Sequence, residues 1–338
     1  MNNIILNNGV EMPQLGFGTY LIPEDKFESA ICEAYDLGYR QFDTAWRYHN
    51  EVALVKALKN HNVKREDVFI TTKVNADALY KHPYYYGWRM IQNIPYRTIE
   101  NAIEESLDNL KWGGYVDLFL VHFPWPMFMK MYKALDKFYK QGRIRAIGVS
   151  SFLPPHIEAL KEVSDTVPAV NQFEISPLNT QKKLIKYCQD KGIAVEAMST
   201  FSHFRSLEPR QEIIGNDLIK SIAEKYRKST VQIVLRWLYQ QNIILIPKTW
   251  YLPHMKENIS IFDFSLDAED MSKIDSLNKG HFLNYNPYNA VRFGLPKKYR
   301  NWEGFKDPAN YSEFHNNRSW LQRVLYHIIN NYGFDLSR

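Results

Sequence analysis

The chain has 338 residues, 45% hydrophobic and 23% charged, an ordinary balance for a globular protein able to bury a sizeable core. Its 42 basic and 37 acidic residues leave a formal charge of +5, which favours a phosphorylated small molecule but is too small to argue for nucleic acid. Two cysteines, Cys32 and Cys188, give neither a disulfide framework nor a metal-ligand cluster, so no metal is expected and a reducing cytoplasm is the expected setting.

The opening MNNIILNNGVEMP reads as a hairpin turning at Asn7-Asn8-Gly9. It has no basic stretch leading into a long apolar run, so no signal peptide is expected, and no later run is long enough to span a bilayer. Short apolar runs then predict strands at Gln14–Gly18, Arg40–Asp43, Val68–Val74, Val116–His122, Ala146–Ser150, Ala169–Glu174, Ala194–Met198 and Ile243–Pro247. Between them, helical patterns cover Glu24–Leu37, Glu51–Lys59, Thr98–Leu110, Met129–Gln141, Pro154–Val163, Gln181–Lys191, Asn216–Lys228 and His254–Ile259. Asn179-Thr180 offers an N-cap for the Gln181 helix, and Gly38, Gly142 and Gly192 mark helix ends.

This alternation predicts an α/β chain folded as a (β/α)8 TIM barrel with an N-terminal β-hairpin. A doubly wound open sheet is the rival, but it calls for G-x-G-x-x-G after the first strand, and LGFGTY followed by Leu21-Ile22-Pro23 lacks it. The barrel is expected over residues 1–280 and a C-terminal extension over 281–338. Ala76–Pro95, with Tyr84, Tyr85, Tyr86 and Trp88, looks like an insertion after the third barrel strand. In the extension, Trp320, Val324, Ile328 and Tyr332 recur at helical spacing beside Leu321, Leu325 and Ile329. They suggest an amphipathic helix closing one barrel end, with a partner- or membrane-surface helix as the alternative.

Asp43, Tyr48, Lys73 and His122 fall at or just past the ends of three predicted strands, which a parallel barrel gathers at one face. Tyrosine is a poor acid at its usual pKa of about 10; a neighbouring lysine cation favours the phenolate, and lowering that pKa by about two units is worth roughly 2.7 kcal/mol. Asp43 would keep Lys73 charged, and a neutral His122 would orient a carbonyl oxygen. Singly, each residue has a blander reading: a helix cap, a structural ion pair, a half-buried aromatic, a hydrogen-bonded strand-end histidine. Jointly, at matching strand ends, they suit proton delivery to a carbonyl. No G-x-S-x-G nucleophile is present, and a hydride from nicotinamide fits, since the protein then supplies only binding, orientation and the proton.

GYRQFDTAWRYHNEVALVKAL resembles the aldo-keto reductase signature, with Asp43, Tyr48, Asn50 and Glu51 in place. The resemblance runs on through FITTKV, DLFLVHFP, GRIRAIGVSSF, VNQFEISP and IPKTWYLPHMKENI, over about Met1 to Lys279, and in loop lengths is nearest the short-loop microbial diketogluconate and aldehyde reductases. It implies reversible NAD(P)H-linked reduction of an aldehyde or ketone, with NADP(H) as cofactor and NAD(H) the alternative. It casts Asp43, Tyr48, Lys73 and His122 as catalytic, Tyr48 being the general acid. It assigns Gly18, Thr19 and Tyr20, with Asp43, to the cofactor's strand-end loop, Ser150, Ser151 and Gln172 to the nicotinamide carboxamide, and Lys248, Thr249, Glu257 and Asn258 to the adenosine end and its 2′-phosphate. The chain departs from the family pattern in Ser151 where Asn is usual, in Met198 where an aromatic ring stacks on the nicotinamide, and in His254 where an Arg often clamps the 2′-phosphate. Trp46, Asn75, Phe123 and Trp125 follow catalytic positions and are expected to line the substrate pocket, walled by the Tyr84–Trp88 insertion and the Phe282–Phe293 segment. The expected partner is a small carbonyl or alcohol, on a monomer or weak homo-oligomer. A catalytically weak NADP(H)-binding sensor or interaction module on the same fold is the rival from another class, and a lyase or isomerase using Lys73 as a Schiff base is a third.

Overall fold

The structure, a computed structural model, describes residues 2–74, 98–124, 127–201, 208–282 and 295–299. Strands β1 (Asn3–Ile5) and β2 (Glu11–Pro13) form the antiparallel hairpin, with Ile4 opposite Met12. Leu6 closes its turn by exchanging backbone hydrogen bonds with Gly9 and Val10 at 2.9 Å each.

Eight parallel strands follow: β3 (Phe17–Gly18), β4 (Gln41–Asp43), β5 (Phe69–Val74), β6 (Val116–Val121), β7 (Ile144–Ser150), β8 (Val170–Glu174), β9 (Ala194–Met198) and β10 (Ile244–Leu245). They pair in sequence order. A parallel bridge from Leu15 to Leu245 brings the last strand back to the first, with Gly16 N 2.7 Å from Leu245 O and Leu245 N 2.9 Å from Gln14 O. The chain therefore forms the expected (β/α)8 barrel. Every residue of β5 and of β6 is buried, as expected for strands covered on both faces.

Helices α1 (Glu24–Asp36), α2 (Glu51–Asn60), α3 (Ile99–Asn109), α4 (Phe128–Lys140), α5 (Pro154–Leu160) and α6 (Lys182–Asp190) lie close to their expected spans. Then come α7 (Glu208–Ile214), α8 (Asp217–Tyr226), α9 (Thr230–Tyr239), α10 (Leu252–Ile259) and α11 (Ala268–Asp275), of which α7, α9 and α11 were not anticipated. The α9 sequence TVQIVLRWLY is rich in β-branched and aromatic residues, a composition that resembles a strand. Its start is nonetheless marked: Ser229 and Gln232 form a reciprocal capping box.

The expected cap at Asn179-Thr180 is not formed. Gln181, left-handed at φ 48°, precedes α6 and makes no side-chain cap. Asn179 is tied back to Ser176, and the Thr180 amide donates to Asn278. Gly38, Gly142 and Gly192 do end helices, each at positive φ.

Two layers of apolar packing position the site. One fills the space between strands and helices. The other joins Ile4, Leu6 and Met12 of the hairpin to Leu118, Leu120, Ala146 and Ile244 of the strands. The Asn7 and Asn8 side-chain amides fasten the hairpin to the carbonyls of Pro168 and Arg145, near the strand starts. The hairpin thus plugs the N-terminal end of the barrel, and the C-terminal end is left for chemistry. Deleting a buried leucine such as Leu120 would cost about 2–5 kcal/mol. No helix among the described residues is long and apolar enough to cross a membrane. The extension from residue 281 onward, with its helical pattern, and the Ala76–Pro95 insertion fall almost wholly outside the described residues.

Candidate active site

Asp43 ends β4 and Lys73 lies in β5, the neighbouring strand. Lys73 is fully buried and donates to both Asp43 carboxylate oxygens, at 2.5 and 2.7 Å, and to Thr44 O at 2.9 Å. Burial opposes its charge, but the adjoining Asp43 carboxylate outweighs that, and the ammonium pKa is raised. Tyr48 ends a single 3-10 turn, Trp46–Tyr48, closed by its own amide to Ala45 O. Its ring centroid is 5.1 Å from Lys73 Nζ and 5.9 Å from the His122 ring. His122 extends β6 by one backbone bond to Val74 O, which fixes it beside the Lys73 strand.

The signature residues Asn50 and Glu51 are scaffolding. The Asn50 side chain accepts from Thr44 Oγ1 and donates to Thr19 O, tying the loops after β3 and β4 together. Glu51 is buried and accepts from Thr72 Oγ1 and Asn109 Nδ2, which anchors α2 to the barrel wall.

The electrostatics correct one expectation. Lys73 does favour the Tyr48 phenolate, but burial of the hydroxyl outweighs it, and the pKa is pushed up to about 12 rather than down. Sequence alone shows a cation and an acid, not how much water surrounds them. Part of the Tyr48 side chain still faces a cavity. Burial first, then the Lys73 and Arg47 cations, hold the His122 imidazole well below its ordinary value, so it is neutral as expected. Its Nδ1 is buried with no hydrogen-bond partner.

A cavity of about 780 Å³ opens at these strand ends. Asp43, Tyr48, His122 and Phe123 line it, together with Gly18, Tyr20, Gln172 and Met198. Lys248, Thr249, His254, Glu257 and Asn258 line its other end. Thr19, Ser150 and Ser151 are buried behind the wall: Thr19 Oγ1 donates to Asp43 O, and the Ser151 amide donates to Gln172 O at 2.7 Å. The hydroxyls of Ser150 and Ser151 are buried without partners. Phe123 stacks on His122 at 4.5 Å. Trp46 lies outside the lining, its indole N–H donating to Glu105 at 2.8 Å. Asn75 and Trp125, like the Tyr84–Trp88 cluster, lie outside the described residues. Among the described residues no cluster of His, Cys, Asp or Glu could hold a metal.

Three lining residues escaped sequence reasoning. Arg47 sits in the turn before Tyr48, and Arg210, in α7, shares the cavity with Lys248. Burial and the Arg210 charge lower the Lys248 pKa. Trp250 lies under the Lys248 ammonium, 4.8 Å from ring centroid to Nζ. Arg47 and Trp250 lie within strings that carry the family resemblance but are assigned no role there, and Arg210 lies in no such string.

Residues 14–279 match the sequence profile described as Aldo/keto reductase family. A glyoxal reductase of Bacillus subtilis is 38% identical over 85% of this chain and 96% of its own length. The methylglyoxal reductase DkgA of Escherichia coli O157:H7 is 33% identical over 84% of this chain and 96% of its own. A crystal structure of a Gox0644 point mutant in complex with NADPH superposes with a TM-score of 0.71 at 31% identity, covering 85% of this chain and 97% of that one. With a matching profile over most of its length, relatives of this closeness and the barrel itself, the chain belongs to the aldo/keto reductase family.

Proposed function

We propose that the protein reduces an aldehyde or ketone to an alcohol with NADPH, Tyr48 acting as general acid. The observation that carries this reading is the convergence of Asp43, Tyr48 and His122 on one cavity whose far end is lined by Lys248, Thr249, His254, Glu257 and Asn258.

The residues present fit a nicotinamide nucleotide. The orphaned hydroxyls of Ser150 and Ser151 sit beside Gln172 and suit a carboxamide. At Gly18 a Cβ would come within 2.9 Å of Ile246 O, so only glycine keeps that edge of the cavity open. Lys248 and Arg210 bring two cations to the far end, suited to a 2′-phosphate in place of the Arg that His254 replaces. Met198 offers a thioether face for the ring.

When bound, the cofactor supplies the hydride. Tyr48, with a pKa near 12, holds its proton at working pH and delivers it to the carbonyl oxygen as negative charge develops there. The phenolate left behind faces Lys73, whose charge Asp43 maintains. Lys73 thus stabilises the product of proton transfer rather than ionising the resting acid. Neutral His122 can donate to the same oxygen without adding a second cation. The Schiff-base alternative loses ground, because a lysine held charged by Asp43 is a poor nucleophile.

The test is oxidation of NADPH and NADH at 340 nm with a panel of aldehydes, ketones and small dicarbonyls, beside Tyr48→Phe. Reduction by the wild type that falls at least about 100-fold in the variant, with nucleotide binding kept, supports the reading. Retained turnover removes Tyr48 from the mechanism, and tight nucleotide binding with no turnover favours the sensor.

A further inference from the structure

Glu196 is a fully buried carboxyl that the proposed mechanism does not use. It sits in β9, next to Ala197 and Met198 of the cavity wall. Its Oε1 accepts from Gln41 Nε2 at 2.6 Å, across the barrel interior from β4, a strand that does not pair with β9. Its Oε2 accepts from Gln172 Nε2 at 2.6 Å, on the adjoining β8. The same Gln172 nitrogen also donates to Asp43 Oδ2 at 2.9 Å.

An amide NH2 has two hydrogens, and here both are committed to carboxyl groups. Which way a glutamine amide points is often ambiguous, but not in this case. Turning Gln172 over would set its carbonyl oxygen 2.9 Å from Asp43 Oδ2, an acceptor already ion-paired with Lys73, and would take from Glu196 Oε2 the N–H it accepts at 2.6 Å. The amide is therefore locked, with Oε1 as its one uncommitted polar atom, on a residue that lines the cavity. Gly16 keeps room for this arrangement: a Cβ there would come within 2.6 Å of Gln41 Cδ.

We propose that Glu196 is a positioning residue, which together with Asp43 locks the Gln172 amide so that its Oε1 accepts the N–H of a bound nicotinamide carboxamide. The assignment rests on the nucleotide-dependent function proposed above. It links the ring's placement to the Asp43–Lys73 pair, because one amide nitrogen ties both carboxyls.

The test compares binding of NADP+ with that of its 3-acetylpyridine analogue, in which methyl replaces the carboxamide NH2, by calorimetry on the full chain. Wild type should favour NADP+ by about tenfold, the usual worth of a hydrogen bond lost from a buried acceptor. Glu196→Gln keeps an acceptor for Gln172 and should keep most of that preference. Glu196→Leu removes one of the two carboxyls that hold the Gln172 amide and leaves only the Asp43 contact, so the amide is no longer fixed and the preference should fall to about twofold or less. A merely structural role would weaken both nucleotides alike and leave their ratio unchanged, which overturns the proposal, as does a wild type that does not discriminate. If Glu196→Leu does not unfold cooperatively, Glu196→Thr, too short to reach Gln172, takes its place with the same expected ratio. A wild type that binds neither nucleotide overturns the proposed function itself, an outcome distinct from binding without discrimination.

Discussion

Lys73 Nζ lies 2.5 and 2.7 Å from the two carboxylate oxygens of Asp43, a pair enclosed by protein at the end of the barrel where the cavity opens. The contact decides what Tyr48 can do. A buried ammonium without a countercharge would shed its proton. With Asp43 beside it the charge persists 5.1 Å from the tyrosine ring, ready to meet a phenolate.

Asp43→Asn removes that countercharge and leaves Lys73 buried and unpaired. Breaking one side of a buried ion pair costs about 3–5 kcal/mol. The urea midpoint should fall accordingly with little change in slope, and carbonyl reduction should be lost with it. A midpoint within experimental error of wild type would mean that the pair contributes nothing to the fold.

Two buried groups give opposite pH slopes. His122 is held neutral in the fold, while the unfolded chain takes up a proton below about pH 6.5, so its contribution is full above that pH and is lost as pH falls. Glu196 is pushed up to about 8, by burial first and then by the Asp43 charge, whereas its unfolded counterpart ionises near about 4.3. Its contribution is full below the unfolded value and is lost as pH rises toward 8. The slopes oppose one another between about pH 4.5 and 6.5, and only that of Glu196 remains above. Urea unfolding from about pH 5 to about pH 8 should therefore show His122→Gln losing stability throughout. Glu196→Gln should gain it up to about pH 6.5 and then level off. A Glu196→Gln curve that still declines above neutrality contradicts this account.

Ser151 stands at φ 62°, in the left-handed region, directly after the last strand residue of β7. Asparagine tolerates that conformation better than serine. Ser151→Asn should recover part of the roughly 1–2 kcal/mol that a left-handed residue costs. Its amide would also add a polar contact where the buried hydroxyl now has none. A higher melting temperature and tighter NADPH binding are expected together; a lower melting temperature would show that the larger side chain does not fit.

Strand ends were the legible part of this molecule. FITTKV and VDLFLV are buried along their whole length, so the end of each run, and with it the placement of Lys73 and His122, could be read directly. Helix α9 was not legible by composition, because its apolar and β-branched residues suit either structure, and the Ser229–Gln232 box that marks its start was passed over. The direction of the Tyr48 shift was misread, since desolvation belongs to the assembled barrel and not to any motif. Glu196 and Arg210 carried no signal at all. Glu196 acquires its meaning from Gln41 on the far side of the barrel, and Arg210 from Lys248 in a different loop.

Arg210 and Lys248 line the same cavity, close enough that the guanidinium helps to lower the lysine pKa. Among the described residues neither makes an ion pair with a carboxylate, and the two like charges share an end of the cavity that the Glu257 side chain also lines. An anion between them would relieve that repulsion, and a 2′-phosphate with its double charge does so better than a ribose hydroxyl. Arg210→Ala should therefore weaken NADPH about tenfold, roughly 1.4 kcal/mol, and NADH hardly at all. The gap between the two nucleotides should shrink as salt rises from about 0.05 to about 0.5 M, because the contact is electrostatic and partly exposed. Equal loss of both nucleotides would move Arg210 to the pyrophosphate they share. No loss of either would leave Lys248 to hold the phosphate with His254 alone.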